Sequence, residues 1–162
     1  YPTSHALVWT DGQHQDLGTF GGHLSRGLDI NDFGIVVGAA SDVFEATHAF
    51  YWDGSLHELG LGGAGGVNNV GQVVGVLNNP QRAFVYNYLT GSMEFLPDLG
   101  YGAAAIRIND LGVIIGRVYV GTGFNKVSHV AVWKPVPEPP SLVALSALFA
   151  CLGLSRCRHR CR

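Results

Sequence analysis

Six histidines stand in the first 134 residues, and three of them recur at one position of a repeated phrase. The phrase is His-Ala-x-x-Trp. It reads His5-Ala6-Leu7-Val8-Trp9 and His48-Ala49-Phe50-Tyr51-Trp52, then in altered form Arg82-Ala83-Phe84-Val85-Tyr86 and His129-Val130-Ala131-Val132-Trp133. Imidazoles in register suggest a ring of metal ligands. Equivalent positions of successive repeats lie far apart unless they line an axis, however, so His5, His48 and His129 read first as hydrogen bonds that lock strands together. His14, His23 and His57 share no register. Asp16, Asp32, Asp53 and Asp110 sit at turns or strand ends, where a bond to nearby backbone is expected. Calcium at Asn31-Asp32 or Asn109-Asp110 would need denser carboxylates. Ser, His and Asp are present, yet none lies in Gly-x-Ser-x-Gly. The Gly-rich stretch from Leu61 to Gly66 is followed by neither Lys-Ser/Thr nor a helix, and reads as a loop. Trp9, Trp52 and Trp133 recur in register, which favours core packing over a sugar-stacking platform. Cys157 and Cys161 flank His159 among four arginines, a poor zinc site. The sequence therefore assigns no catalytic, cofactor or metal residue.

Two further phrases define the elements that carry these residues. One reads Ile30-Asn31-Asp32-Phe33-Gly34-Ile35-Val36-Val37-Gly38, then Val67-Asn68-Asn69-Val70-Gly71-Gln72-Val73-Val74-Gly75, then Ile108-Asn109-Asp110-Leu111-Gly112-Val113-Ile114-Ile115-Gly116, with glycines stepping by 37 and 41 residues. The other is Asp16-Leu17-Gly18, answered by Glu58-Leu59-Gly60 and loosely by Phe95-Leu96-Pro97. Three phrases in fixed order make a repeat of about 40 residues, the size of a propeller blade. In Asn-Asp/Asn-x-Gly the Asn side chain can cap a type I turn and the Gly supplies the position of free φ at its end. The flanking runs Ile35-Val36-Val37 and Val113-Ile114-Ile115 read as buried strands. A second hairpin turns at Thr10-Asp11-Gly12, at Asp53-Gly54 and across Asn87 to Gly91. Two hairpins per repeat predict an all-β body of four-stranded antiparallel blades. It would hold 13 strands, about three blades of a partial β-propeller, with no sustained helical period.

Composition agrees with such a body. Twenty-three glycines, 47% hydrophobic and 14% charged residues in 162 exclude disorder, coiled coil and collagen. A net charge of -2 and a pI near 6.4 argue against nucleic-acid binding. Residues 1–134 carry 6 Lys/Arg against 11 Asp/Glu, whereas 135–162 carry 4 against 1. All three cysteines, Cys151, Cys157 and Cys161, lie in the second part, and a thiol-free body fits export through an oxidising compartment. Closed propellers need about four to eight blades. A chain of about three that opens at Tyr1 is therefore expected to be the C-terminal part of a larger ring with an unpaired edge, the alternatives being an open stack of sheets or a ring closed by another chain.

The last residues divide into a Pro-rich linker (135–140) with Pro137-Glu138-Pro139, a hydrophobic segment (141–155) and an Arg-rich end (156–162). The prolines cannot continue a strand and favour a stiff extended spacer. The uncharged run from Pro139 to Ser155 would span about 21 to 26 Å as helix, short of a ~30 Å hydrocarbon core. Length alone would favour a buried C-terminal helix, but the arginines beyond it favour water and lipid phosphate, so 141–155 is expected to be a short C-terminal hydrophobic helix at a membrane, with 156–162 cytoplasmic and the body outside.

The three body phrases, over residues 4–133, resemble the bacterial HAF repeats of extracellular proteins, which makes residues 1–134 a HAF-like repeat array. The tail resembles the PEP-CTERM sorting signal of Gram-negative bacteria, with Pro137, Glu138 and Pro139 matching its name-giving motif and Arg156, Arg158, Arg160 and Arg162 its basic end. The unit at Arg82 departs from the repeat pattern by replacing both His and Trp. Together the resemblances imply an exported, non-catalytic surface or matrix protein without cofactor. Exosortase would process its tail at the inner membrane, and extracellular polysaccharide or envelope proteins would be its partners. A different class remains open, a fragment of a secreted polysaccharide hydrolase or lyase whose acids lie on other blades. A third is a single-pass anchored binding domain that keeps its tail.

Overall fold

The computed structural model describes residues 3–135. Among them are twelve β-strands, a single 3-10 turn at Gly123–Asn125 and no α-helix. Every named strand pair is antiparallel. The hairpin β1 (Leu7–Thr10) and β2 (Gln13–Asp16) stands alone. A seven-stranded sheet follows in chain order: β3 (Gly21–Ile30), β4 (Val36–Asp42), β5 (Thr47–Trp52), β6 (Leu56–Val67), β7 (Gln72–Leu77), β8 (Arg82–Asn87) and β9 (Ser92–Phe95). The last sheet contains β10 (Ala103–Ile108), β11 (Ile114–Val120) and β12 (Val127–Trp133). The expected C-terminal helix and the three tail segments from residue 136 onward lie outside the described residues.

The count is one strand below expectation, and the Gly-rich stretch from Leu61 to Gly66 is not a loop. It runs inside β6, whose first half pairs with β5 up to Leu61 and whose second half, from Gly62, pairs with β7. The strand changes partner without breaking because its glycines let neighbours close in. A Cβ on Gly62 would stand 2.0 Å from the Val76 carbonyl oxygen, and one on Gly65 2.8 Å from that of Ile106. Between β9 and β10 the corresponding stretch holds Pro97, which has no N–H for a ladder, and there the strands stay separate.

Each full repeat is thus a meander: β3, β4, β5 and the first half of β6, then the second half of β6 with β7, β8 and β9, then β10, β11 and β12. The Val-Val pairs explain how successive meanders hold together, since neighbouring residues of a strand point to opposite faces. Val36 joins a core with Ala6, Leu17, Ala40 and Phe50, while Val37 joins one with Ala49, Ala64, Val67, Val73 and Phe84. Val73 belongs to that second core and Val74 to a third, with Ala83, Ala103, Ala105 and Ile114. Each second-phrase strand is buried on both faces, as its continuous apolar run requires, until the last. There Ile115 is exposed.

The repeated glycine that ends the second phrase has a steric cause. In all three units one extra residue, Leu28, Gly65 or Ile106, bulges the strand facing that glycine. The bulged backbone comes so close that a Cβ would meet a carbonyl oxygen at 2.0 Å from Gly38, 2.2 Å from Gly75 and 2.1 Å from Gly116. An aromatic ring then covers the bare backbone from the following strand, Phe50 over Gly38 and Phe84 over Gly75. In the third unit Ala131 stands opposite the glycine, and the ring of Trp133 covers it instead. Gly75→Ala is therefore expected to lower stability by about 3 kcal/mol, because backbone must move. Gly27→Ala, which meets only a Val36 methyl at 3.4 Å, should stay within about 1 kcal/mol of the parent. Denaturant melts of the two variants check this.

Candidate functional site

The chemistry-bearing side chains gather where the bulges and the Asn turns meet. Asn31 Oδ1 accepts from the backbone N–H of Phe33 and Ile35, at 3.1 and 3.0 Å, and caps its own turn. Asn68 does the same for Val70 and Gln72, and Asn109 for Leu111 and Val113. The other end of each amide in the first two turns reaches the next repeat. Asn31 Nδ2 donates to the Asn68 carbonyl at 3.0 Å, and Asn68 Nδ2 to the Asn109 carbonyl at 3.1 Å. The following residues form a parallel rung: Asp32 N–H donates to Asn69 Oδ1, Asn69 N–H to Asp110 Oδ1, and Asn69 Nδ2 to both Asp32 and Asp110 carboxylates. Asp32 and Asp110 therefore differ from the turn-bonding role that their positions suggest. They tie one turn to the next, because the Asn before each already occupies the capping position.

Arg107 closes the same end. Its guanidinium donates to the carbonyl oxygens of Leu28, Gly65 and Ile106, which are the bulged residues of all three units. The sequence offers one sign of this residue. In the place before the Asn phrase, Asp29, Gly66 and Arg107 share no residue type, and Asp29 also bonds across units, accepting from Val67 N–H at 3.1 Å.

Two of the three repeated histidines, His5 and His48, are strand locks, while His129 makes no hydrogen bond or ion pair among the described residues. His5 Nδ1 lies 2.7 Å from Asp16 Oδ2, and His48 Nδ1 lies 2.7 Å from Glu58 Oε1, so the first-phrase imidazole meets the acid of the Asp/Glu-Leu-Gly phrase on the next strand. The altered unit changes both partners together: the Arg82 guanidinium sits 3.8 Å above the Phe95 ring. In each pair the acid, or its replacement, stands opposite the residue two beyond the His position, as Leu7↔Asp16, Phe50↔Glu58 and Phe84↔Phe95. His48 is bonded on its far side to Asp42 at 3.1 Å, with its side chain 13% exposed. Burial alone would depress its pKa, but the hydrogen bonds to Glu58 and Asp42 outweigh burial and raise it. The Gly18 N–H, with His5, holds the Asp16 carboxyl below the usual carboxylate range.

The unregistered histidines include two that are paired as well. His23 bonds Glu45, and His57 bonds Asp53 at 2.8 Å while stacking on Tyr51 at 4.5 Å. Asp16 and Asp53 make the expected turn bonds, to the N–H of Gly18 and Ser55. Burial and the neighbouring Tyr86 push the Tyr51 hydroxyl up to about 12, which keeps it protonated. Among the described residues no three His, Cys, Asp or Glu side chains are placed to hold a metal ion. A cleft beside Ser25 and Ser41 is lined by hydroxyls already bonded to the backbone of Ala6 and Leu24. Of the three tryptophans, Trp52 and Trp133 pack against cores, and Trp133 Nε1 donates to the Pro97 carbonyl at 2.9 Å. Trp9 is exposed, contrary to the packing expected of all three, because no sheet covers its hairpin on that side among the described residues.

One apolar feature is left over. The third residue of each Asn turn, Phe33, Val70 and Leu111, is exposed at 71, 52 and 80%. Since the turns adjoin, these side chains form an apolar row beside the Asp32, Asn69 and Asp110 rung. The tail residues Pro137, Glu138, Pro139, Arg156, Arg158, Arg160 and Arg162, and the Cys157, His159 and Cys161 cluster, lie outside the described residues. Among those described, no helix is long and apolar enough to cross a membrane. No protein-family model matches the chain, and no curated protein matches it.

The His48 pair gives a pH prediction. Its folded-state pKa is raised, so its contribution is fully present below the unfolded value and lost as pH rises through the folded one. The stability difference between the parent and His48→Gln should thus be larger at about pH 5.5 than at about pH 8.5, on either side of imidazole's ordinary value of about 6.5. Equal differences from denaturant titrations at the two pH values would refute the pairing.

Proposed function

We propose that the protein is an exported, non-catalytic binding or scaffold protein of the bacterial cell surface or matrix, in which HAF-like repeats form successive blades of a propeller-like array. The observation that carries this reading is the use made of the repeated polar residues. Asn31, Asn68, Asp32, Asn69, Asp110, His5 and His48 are spent on bonds within and between repeats. Bulge carbonyls from three meanders meeting at one guanidinium support a radial arrangement about an axis. The exposed row of Phe33, Val70 and Leu111 supplies a face for polysaccharide or envelope-protein partners.

In this reading the tail is an address. Pro137-Glu138-Pro139, the apolar run after it and Arg156, Arg158, Arg160 and Arg162 make the chain a substrate of exosortase, held at the inner membrane of a Gram-negative bacterium until processed. Terminal peptide mapping of protein recovered from the outer surface of its native host tests this directly. A C-terminus between Pro137 and Pro139 is expected, and one at Arg162 overturns the sorting role.

A further inference from the structure

Among the described residues the last sheet stops one strand short of the pattern. In the two meanders before it, and in the first hairpin, the strand carrying the first phrase is followed by an antiparallel neighbour: β2 beside β1, β6 beside β5, β9 beside β8. Among the described residues β12 carries the same phrase and is paired on one side only, with β11. Its free edge is apolar and open, with Val127, Val130 and Val132 exposed at 54, 84 and 53%. An unpaired strand edge is a template for another strand.

The chemistry of the missing neighbour can be read from the other three. His5 meets Asp16, His48 meets Glu58, and where His becomes Arg82 the acid becomes Phe95. β12 retains the imidazole, His129, which makes no hydrogen bond or ion pair among the described residues. Opposite-residue spacing fixes where the carboxylate belongs: two beyond the His position, across from Ala131. Charge points the same way. Residues 114–135 hold Arg117, Lys126 and Lys134 and no Asp or Glu. The residues immediately after Trp133 are poor occupants, because Pro135, Pro137, Pro139 and Pro140 have no N–H to donate to a ladder.

We infer that the free edge of β12 is a docking site for an extended, acidic peptide strand of the Asp/Glu-Leu-Gly type, added antiparallel with its carboxylate opposite Ala131 and bonded to His129. Main-chain bonds along 127–133 supply affinity, and the carboxylate sets the register, since a slip by one residue would turn it to the other face. This rests on strand pairing within the body and is independent of export.

The probe is a peptide copying residues 54–62, Gly-Ser-Leu-His-Glu-Leu-Gly-Leu-Gly, added to the full chain while amide exchange along β12 and the His129 ring resonances are followed. Binding should slow exchange at 127–133 and shift His129. The Glu58→Lys version of the peptide should bind about five-fold or more weakly, and His129→Ala in the protein should weaken the parent peptide about two- to five-fold, the range of an exposed charge pair. His129 is exposed on the last strand among the described residues, and a circular dichroism spectrum matching the parent confirms that the variant folds. No binding, equal binding of both peptides, or indifference to His129→Ala overturns the inference. So does protection of β12 without peptide: independent of concentration it means the chain's own residues cover the edge, and rising with concentration it means the edge pairs with a second copy.

Discussion

A side-chain amide that does two jobs at once is the feature on which the rest of the architecture depends. Its oxygen caps a turn whose backbone donors would otherwise be unpaired, and its nitrogen reaches the same turn of the next meander. A side chain so short can span both only if consecutive turns lie one hydrogen bond apart. Behind each turn the preceding strand of the same unit bulges, and its backbone excludes a Cβ at Gly38, Gly75 and Gly116. The aromatic rings over those glycines and the valine pairs facing two cores then follow as the means of filling what remains. Asn68 shows the constraint at its tightest: it is 3% exposed, and its amide is bonded at both ends.

Such an arrangement commits the repeated polar groups to the fold. Among the described residues, no buried side-chain polar atom lacks a hydrogen-bond partner. The repeated histidines His5 and His48, candidate ligands by residue type, are held against carboxylates one strand away. Two apolar features face solvent among the described residues: the turn tips Phe33, Val70 and Leu111, and the valines of β12. Exposed apolar surface of this kind is characteristic of contact with other macromolecules.

Much of the strand pattern is legible in the sequence because the turn chemistry is local. Asn-Asp/Asn-x-Gly and the β-branched run after it fix a hairpin within nine residues, and no distant contact is needed to place it. The partners of the polar residues are harder to read. Asp32 and Asp110 look like ordinary turn acids, and only the adjacency of turns 37 and 41 residues apart makes them bridges. Arg107 carries no motif at all, since its three acceptors are backbone carbonyls up to 79 residues away. The stretch from Leu61 to Gly66 misleads for a similar reason. Glycine marks loops, but it also marks places where another backbone comes close, and which of the two holds is decided by β7 and β10. The coordinated change of His48 and Glu58 to Arg82 and Phe95 is visible in the aligned repeats, and it is the one signal in the residues themselves that pairs two side chains.

The most direct measurement compares the stability of Asn68→Ala with that of Asn109→Ala by chemical denaturation. Both variants lose the cap of their own turn, but only Asn68 also donates to the following repeat among the described residues. If the cross-repeat bond holds the meanders together, Asn68→Ala should be the less stable by about 1 to 2 kcal/mol, the net worth of the two bonds its amide nitrogen donates, to the Asn109 carbonyl and to Gln72 Oε1. Equal losses would mean that the Asn turns are local caps and that apolar burial alone joins the repeats.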